Sequence, residues 1–353
     1  MKNFFKNVLE IEKKKIGEKY PVFIIAEAGV NHNGNLRNAY KLIDIAKKAG
    51  ADAVKFQTFN TEESTITKLK KAKYQRKKKN DNETQYEMLE KLELNFDYHL
   101  KIKNYCKKKK IIFFSTPSDI QSLKLLKKLN IGCYKISSVD LNNFDLIEEV
   151  SKTNKPMIIS TGMSNIEDVI ETKKKLISLK NKKVIFLHCI SSYPTKDRDL
   201  NLNSIRFLKE KINSIIGFSD HTLGNNGAIL AVACGAKVVE KHITINKKMH
   251  GPDHKISMDP KEFNLFVNMI RKTEAILGKS VKKINKVELN TLSATKKVFV
   301  ASQDLKVGLK LKKKMIMLKS AGKGVNYKEI KFFLEKKIKK KITKDSLIDK
   351  KFF

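Results

Sequence analysis

Long apolar runs, paired cysteines and arginine are missing or rare in this chain of 353 residues, and each absence removes a class of function. No stretch approaches the ~18 apolar residues needed to cross a bilayer. The opening MKNFFKNVLEIEKKK is charged throughout and has no apolar core of a secretory signal, so export and membrane insertion are not expected. Cys106, Cys133, Cys189 and Cys234 are scattered, with no C-x-x-C pair, as suits buried thiols in a reducing cytoplasm. Only five of the 74 basic residues are arginine: Arg37, Arg76, Arg198, Arg206 and Arg271. Arginine does most base reading in nucleic-acid complexes. The lysines are spread along the whole chain, so the net charge of +37 reads as compositional bias rather than a nucleic-acid-binding face. Such a field would still steer in a small anionic substrate. A hydrophobic content of 41% supports a core, and the length allows one large domain plus a small one.

The most informative stretch is Ile215–His254. Two apolar runs end in polar clusters, Ser219-Asp220-His221 and Glu240-Lys241-His242, with a small-residue helical pattern from Asn225 to Cys234 between them. In a parallel strand–helix–strand unit both strand ends lie on one edge of the sheet. His221 and His242 therefore face one pocket, with Asp253 and His254 arriving on the next loop. Two histidines beside carboxylates make a candidate divalent-metal site.

Further apolar runs read as strands: Val22–Gly29, Ala53–Thr58, Ile111–Thr116, Cys133–Ser138, Met157–Gly162 and Val184–Cys189. Helical periodicity follows each of them. Eight strands alternating with helices over roughly 250 residues is the pattern of an α/β protein of the (β/α)8 TIM-barrel type, with a doubly wound sheet as the alternative. A small hairpin is expected near Ile11–Ile16. Thr61–Asp81 is a long polar loop, read as an active-site cover. Short apolar runs at Val298–Ala301, Leu305–Gly308 and Met315–Leu318 indicate a small β-rich domain. The expected division is a barrel over 1–280, a linker over 281–291 and the β-rich domain over 292–353.

In a barrel the polar strand ends converge on one face: Glu27, Lys55, Gln57, Ser115, Thr116, Lys135, Ser138, Ser160, Thr161, His188, Ser219, His221, Glu240 and His242. Lys55 and Lys135, with hydroxyls from Ser115, Ser138, Ser160 and Ser219 and amides near Gly162, suit an anion bearing a phosphate and a carboxylate. A metal on His221 and His242 would polarise a carbonyl. Glu27 is a candidate general acid or base, or else a structural partner of Lys55. Lys135 as a Schiff-base lysine is a separate enzymatic reading, and a non-catalytic basic binding protein is a third.

At these residues the chain resembles the sialic acid synthase family, whose members make N-acetylneuraminate, legionaminate or pseudaminate. The matching motifs are EAGVNHNG (Glu27–Gly34), KFQT (Lys55–Thr58), Tyr74-Gln75, STP (Ser115–Pro117), YKISS (Tyr134–Ser138), STGM (Ser160–Met163), LHCISSYPT (Leu187–Thr195), NLNSI (Asn201–Ile205), GFSDHT, EKHIT and GPDHKIS (Gly251–Ser257). The resemblance implies condensation of phosphoenolpyruvate with an N-acetylated hexosamine, assisted by Mn²⁺ or Mg²⁺ on His221 and His242. It implies that Lys55, Thr116, Lys135, Ser138, Ser160 and Ser219 hold phosphoenolpyruvate. Glu27, Gln57, Tyr74, Tyr193 and Asp253 would meet the sugar. It also implies an antifreeze-like (SAF, β-clip) C-terminal domain, matched loosely by FVASQDLKVG (Phe299–Gly308), exchanged between the subunits of a homodimer. The chain departs from the family pattern at Ser118, Ser192 and Ser320, the last in place of an arginine and all on the sugar side.

Overall fold

The structure, a computed structural model, describes residues 4–76 and 82–353. The last five residues of the expected Thr61–Asp81 loop and the first three of the chain lie outside the described residues. The chain divides into two compact units, Met1–Gly278 and Lys279–Phe353.

In the first unit a hairpin, β1 (Val8–Ile11) and β2 (Lys14–Gly17), precedes eight parallel strands. These are β3 (Phe23–Gly29), β4 (Ala53–Thr58), β5 (Ile112–Pro117), β6 (Tyr134–Ile136), β7 (Met157–Ser160), β8 (Val184–Cys189), β9 (Ile215–Asp220) and β10 (Val238–His242). They pair in sequence order, and β10 returns to β3 with His242 opposite Glu27, closing the barrel. That closure rules out the doubly wound sheet. Every residue of β3, β5, β8, β9 and β10 is buried, because the interior fills one face of each strand and the helical ring covers the other.

Local chemistry turns each strand into its helix. Asn35, Asn95, Asp119, Asn143, Asn165 and Asp259 sit at helix starts and accept from backbone N–H groups of the first turn. Gly50, in the left-handed region at φ 86°, ends the helix Leu36–Ala49. The hairpin closes the barrel at the N-terminal ends of the strands, burying Leu9, Ile11 and Ile16, while Phe5 meets Phe186 edge-on at 5.9 Å. The opposite, C-terminal rim is left for polar groups.

The loop after β4 is less irregular than its composition suggests. It holds a short helix, Thr61–Ser64, and a tight turn at Lys73–Gln75. No described helix is long and apolar enough to cross a membrane.

In the second unit β11 (Lys297–Ala301) pairs antiparallel with β12 (Ile316–Ser320) over a core that includes Phe299, Leu305, Leu311, Ile316, Phe333 and Ile342. The run at Leu305–Gly308 contributes only a single bridge, Leu305 to Ile342. Within 281–291 lie a 3-10 turn, Lys286–Glu288, and the start of the helix Leu289–Thr295.

Candidate active site

A cavity of about 770 Å³ opens at the C-terminal rim of the barrel. Glu27, Lys55, Gln57, Tyr74, Thr116, Lys135, Ser138, Ser160, Tyr193, Ser219, His221 and His242 all line it. Asp253 stands just behind, its Oδ2 3.9 Å from His242 Nδ1.

Two enclosed lysines form the floor. Lys55 Nζ lies 2.9 Å from Glu27 Oε1 and 3.7 Å from Glu240 Oε2, and it donates to Thr116 Oγ1 at 3.1 Å. Lys135 Nζ donates to Ser160 Oγ at 2.6 Å and lies 4.0 Å from Glu240 Oε1. Ser219 Oγ donates to Glu240 at 3.1 Å, and the Gly162 N–H donates to Ser138 Oγ at 3.0 Å. The electrostatics follow from burial opposed by neighbours. Burial lowers Lys55, but Glu240 and Glu27 outweigh it and hold its ammonium above the ordinary value. Burial drags Lys135 down, against the pull of Glu240. Glu27 is raised by burial despite Lys55. Burial also raises Glu240, but Lys135 and Lys55 prevail and keep that carboxylate low. The two glutamates thus differ in direction: Glu27 is pushed up and Glu240 is held down.

One wall is an aromatic ladder. Tyr74 stacks on Tyr193 at 4.8 Å between centroids, Tyr193 lies 4.1 Å from His221, and His221 lies 5.6 Å from His242. His221 Nδ1 meets the Ile190 carbonyl at 2.8 Å, which places a proton on that nitrogen, and against the effect of burial, Cys189, this carbonyl and Glu240 raise the imidazole. His242 Nδ1 is buried without a hydrogen-bond partner. Burial, then His221 and Lys55, push the His242 imidazole well below its ordinary value, so it is neutral at pH 7. Among the described residues no group of three or more His, Cys, Asp or Glu side chains is arranged around an ion. The imidazole pair supplies two nitrogen donors, one fewer than the three protein ligands usual at a catalytic zinc site. The orphaned His242 nitrogen fits a metal ligand.

Three residues expected at the rim belong elsewhere. Ser115 Oγ donates to the Phe56 carbonyl at 2.8 Å, and Thr161 Oγ1 to the Leu187 carbonyl at 3.0 Å. His188 Nε2 meets the Leu200 carbonyl at 2.8 Å in the helical layer. Strand alternation turns all three away from the cavity, and Thr116, Ser160 and Cys189 face it instead. Glu240 and Cys189, cavity residues beside the lysines and His221, had no role assigned from the sequence. Glu240 was legible from its spacing, since it lies two positions before His242 and shares its face. Cys189, 3.8 Å from His221 Nδ1, resembles any core thiol in sequence.

Comparison with known proteins agrees with this geometry. A profile of the NeuB family matches residues 42–282. An N,N'-diacetyllegionaminic acid synthase of Campylobacter jejuni is 39% identical over 92% of this chain and 98% of its own length. A pseudaminic acid synthase of the same species is 36% identical over 81% of this chain and 83% of its own. The crystal structure of an N-acetylneuraminic acid synthetase from Leptospira borgpetersenii, solved with citrate, superposes with a TM-score of 0.72 at 34% identity, covering 81% of this chain and 95% of that one. A closed eight-stranded barrel, the profile match and this depth of coverage lead to one conclusion: the chain belongs to the NeuB family.

Proposed function

We propose that the chain condenses phosphoenolpyruvate with the open-chain aldehyde of an N-acetylated hexosamine, N-acetylmannosamine or a related 2,4-diacetamido sugar, giving a sialic-type acid and inorganic phosphate. The observation that carries this reading is the pair of enclosed lysines, ringed by hydroxyls, in one cavity with the imidazole pair. The named activities of the acid-synthase relatives support it.

Lys55 and Lys135 take the donor's phosphate and carboxylate, and the hydroxyls of Thr116, Ser138, Ser160 and Ser219 fill the remaining acceptor positions. Gln57, Tyr74, Tyr193 and Asp253 line the acceptor side. A divalent ion, Mn²⁺ or Mg²⁺, on His221 and His242 would supply Lewis-acid polarisation of a carbonyl oxygen. Glu27, raised by burial, holds a proton on its carboxyl and gives it to the aldehyde oxygen as the donor's methylene carbon forms the new C–C bond. Glu240, held ionised, accepts a proton from the water that adds to the resulting cationic carbon. The tetrahedral carbon then expels phosphate with the C–O electron pair, its hydroxyl proton leaves with the phosphate, and a ketone remains.

The same reading treats 292–353 as the antifreeze-like domain, exchanged within a homodimer. It places the reaction in the cytoplasm, consistent with four unpaired cysteines.

The test incubates the full chain with Mn²⁺, phosphoenolpyruvate labelled with ¹⁸O in the C–O–P bridge, and a panel of acceptors: N-acetylmannosamine, its 6-phosphate and a 2,4-diacetamido hexose. Labelled phosphate released only with acceptor supports the reading, and no release with any of them defeats it. The depressed Lys135 amine favours one competitor, a Schiff-base aldolase. A pyruvate adduct trapped on Lys135 by borohydride would favour that route.

A further inference from the structure

Behind the imidazole pair, facing the helices, β9 and β10 share an ion pair that the proposed chemistry does not touch. Asp220 and Lys241 are register partners, and each is only 1% exposed. Lys241 Nζ donates to Asp220 Oδ2 at 2.9 Å and to the Thr222 carbonyl at 2.6 Å. Asp220 Oδ1 accepts from both the Thr222 N–H and its hydroxyl, each at 2.8 Å. The Phe266 ring covers the ammonium, its centroid 5.9 Å away.

The chain path gives the contact its meaning. Asp220 immediately precedes His221, Thr222 immediately follows it, and Lys241 immediately precedes His242. The backbone on both sides of one imidazole is therefore tied to the residue that carries the next. A buried ion pair is a poor way to gain stability, since hydrophobic side chains of similar volume commonly do as well or better. Two residues earlier on the same faces, Phe218 and Val239 are apolar and buried. The charges sit only at the level of the histidines.

We propose that Asp220 and Lys241 are positioning residues that set the separation of His221 and His242, and through it the affinity of the pair for a divalent ion. The inference rests on the metal assignment above. Groups behind metal-binding histidines commonly change ion affinity by about 10–100-fold when removed.

The experiment uses the full-length double variant Asp220→Val/Lys241→Met, which removes both charges together so that neither is left buried alone. Mn²⁺ binding is titrated by electron paramagnetic resonance without substrates, beside the melting temperature and metal-free phosphoenolpyruvate affinity. The expected result is a folded variant with a somewhat lower Tm, because Thr222 loses its partners, with Mn²⁺ affinity down about 10–100-fold and phosphoenolpyruvate affinity unchanged within about twofold. A folded double variant with the parent's Mn²⁺ affinity overturns the proposal. Should that variant not fold, Asp220→Asn, which keeps the shape, carries the same reading: a weaker ion supports the proposal and an unchanged one overturns it. A parent chain that takes up no Mn²⁺ overturns both this proposal and the metal assignment. A parent that binds Mn²⁺ yet turns over no acceptor defeats the proposed reaction alone.

Discussion

His221 and His242 show how much depends on a single nitrogen. His221 has its Nδ1 fixed by a backbone carbonyl, while His242 has a buried Nδ1 with no partner. Replacing His221 with alanine would remove one of the two proposed metal ligands, so we expect Mn²⁺ binding to fall at least about 10-fold and turnover to drop by at least about 10³-fold. Calorimetric titration and phosphate release check this, and full activity in the variant would take the metal out of the mechanism. A different imidazole, His32, is fully buried, and burial, with His99 and His254 nearby, brings it down to about 3. The unfolded chain protonates this group below about 6.5 and the folded chain does not until about 3. Its contribution to stability is therefore complete above pH 6.5 and is lost as the pH falls toward 3, on the order of 5 kcal/mol. We expect His32→Gln to flatten the fall of Tm with acid, and an equally steep fall in the variant would exonerate His32.

At the scale of elements, the barrel was legible because strands buried on both faces read as unbroken apolar runs such as VFIIA and VIFLH. Strand ends were harder. The apolar signal in β9 and β10 stops at Phe218 and Val239, yet pairing continues through Asp220 and reaches His242, because polar residues there face the cavity or the buried ion pair. In FFST the inward residue depends on register, and a shift of one residue exchanges Ser115 for Thr116. The β1–β2 hairpin was visible as a short alternation, but its place under the barrel was not, since that depends on contacts far apart in sequence. Ile16 is fully buried there. Ile16→Ala should cost about 2–4 kcal/mol and lower Tm by several degrees while leaving substrate KM values unchanged. Thermal denaturation beside steady-state kinetics tests whether the two ends of the barrel are independent in this way.

For the molecule as a whole, the net charge is +37, and the proposed donor is an anion. The Debye length shrinks from about 30 Å at 10 mM salt to about 8 Å at 150 mM. We expect kcat/KM for phosphoenolpyruvate to fall several-fold over that range while kcat stays level, as measured by initial rates at matched pH. A salt-independent kcat/KM would show that the lysine excess plays no part in capture.

Glu240, held ionised, lies between the two ammoniums, 3.7 Å from Lys55 and 4.0 Å from Lys135. An incoming anion therefore competes for the lysines with a carboxylate of the protein itself. A monoanion such as pyruvate meets that carboxylate with a single charge and should be turned away, whereas a guest with charge at both ends can engage both lysines at once. The same glutamate that would take a proton during turnover would also act as a threshold for admission.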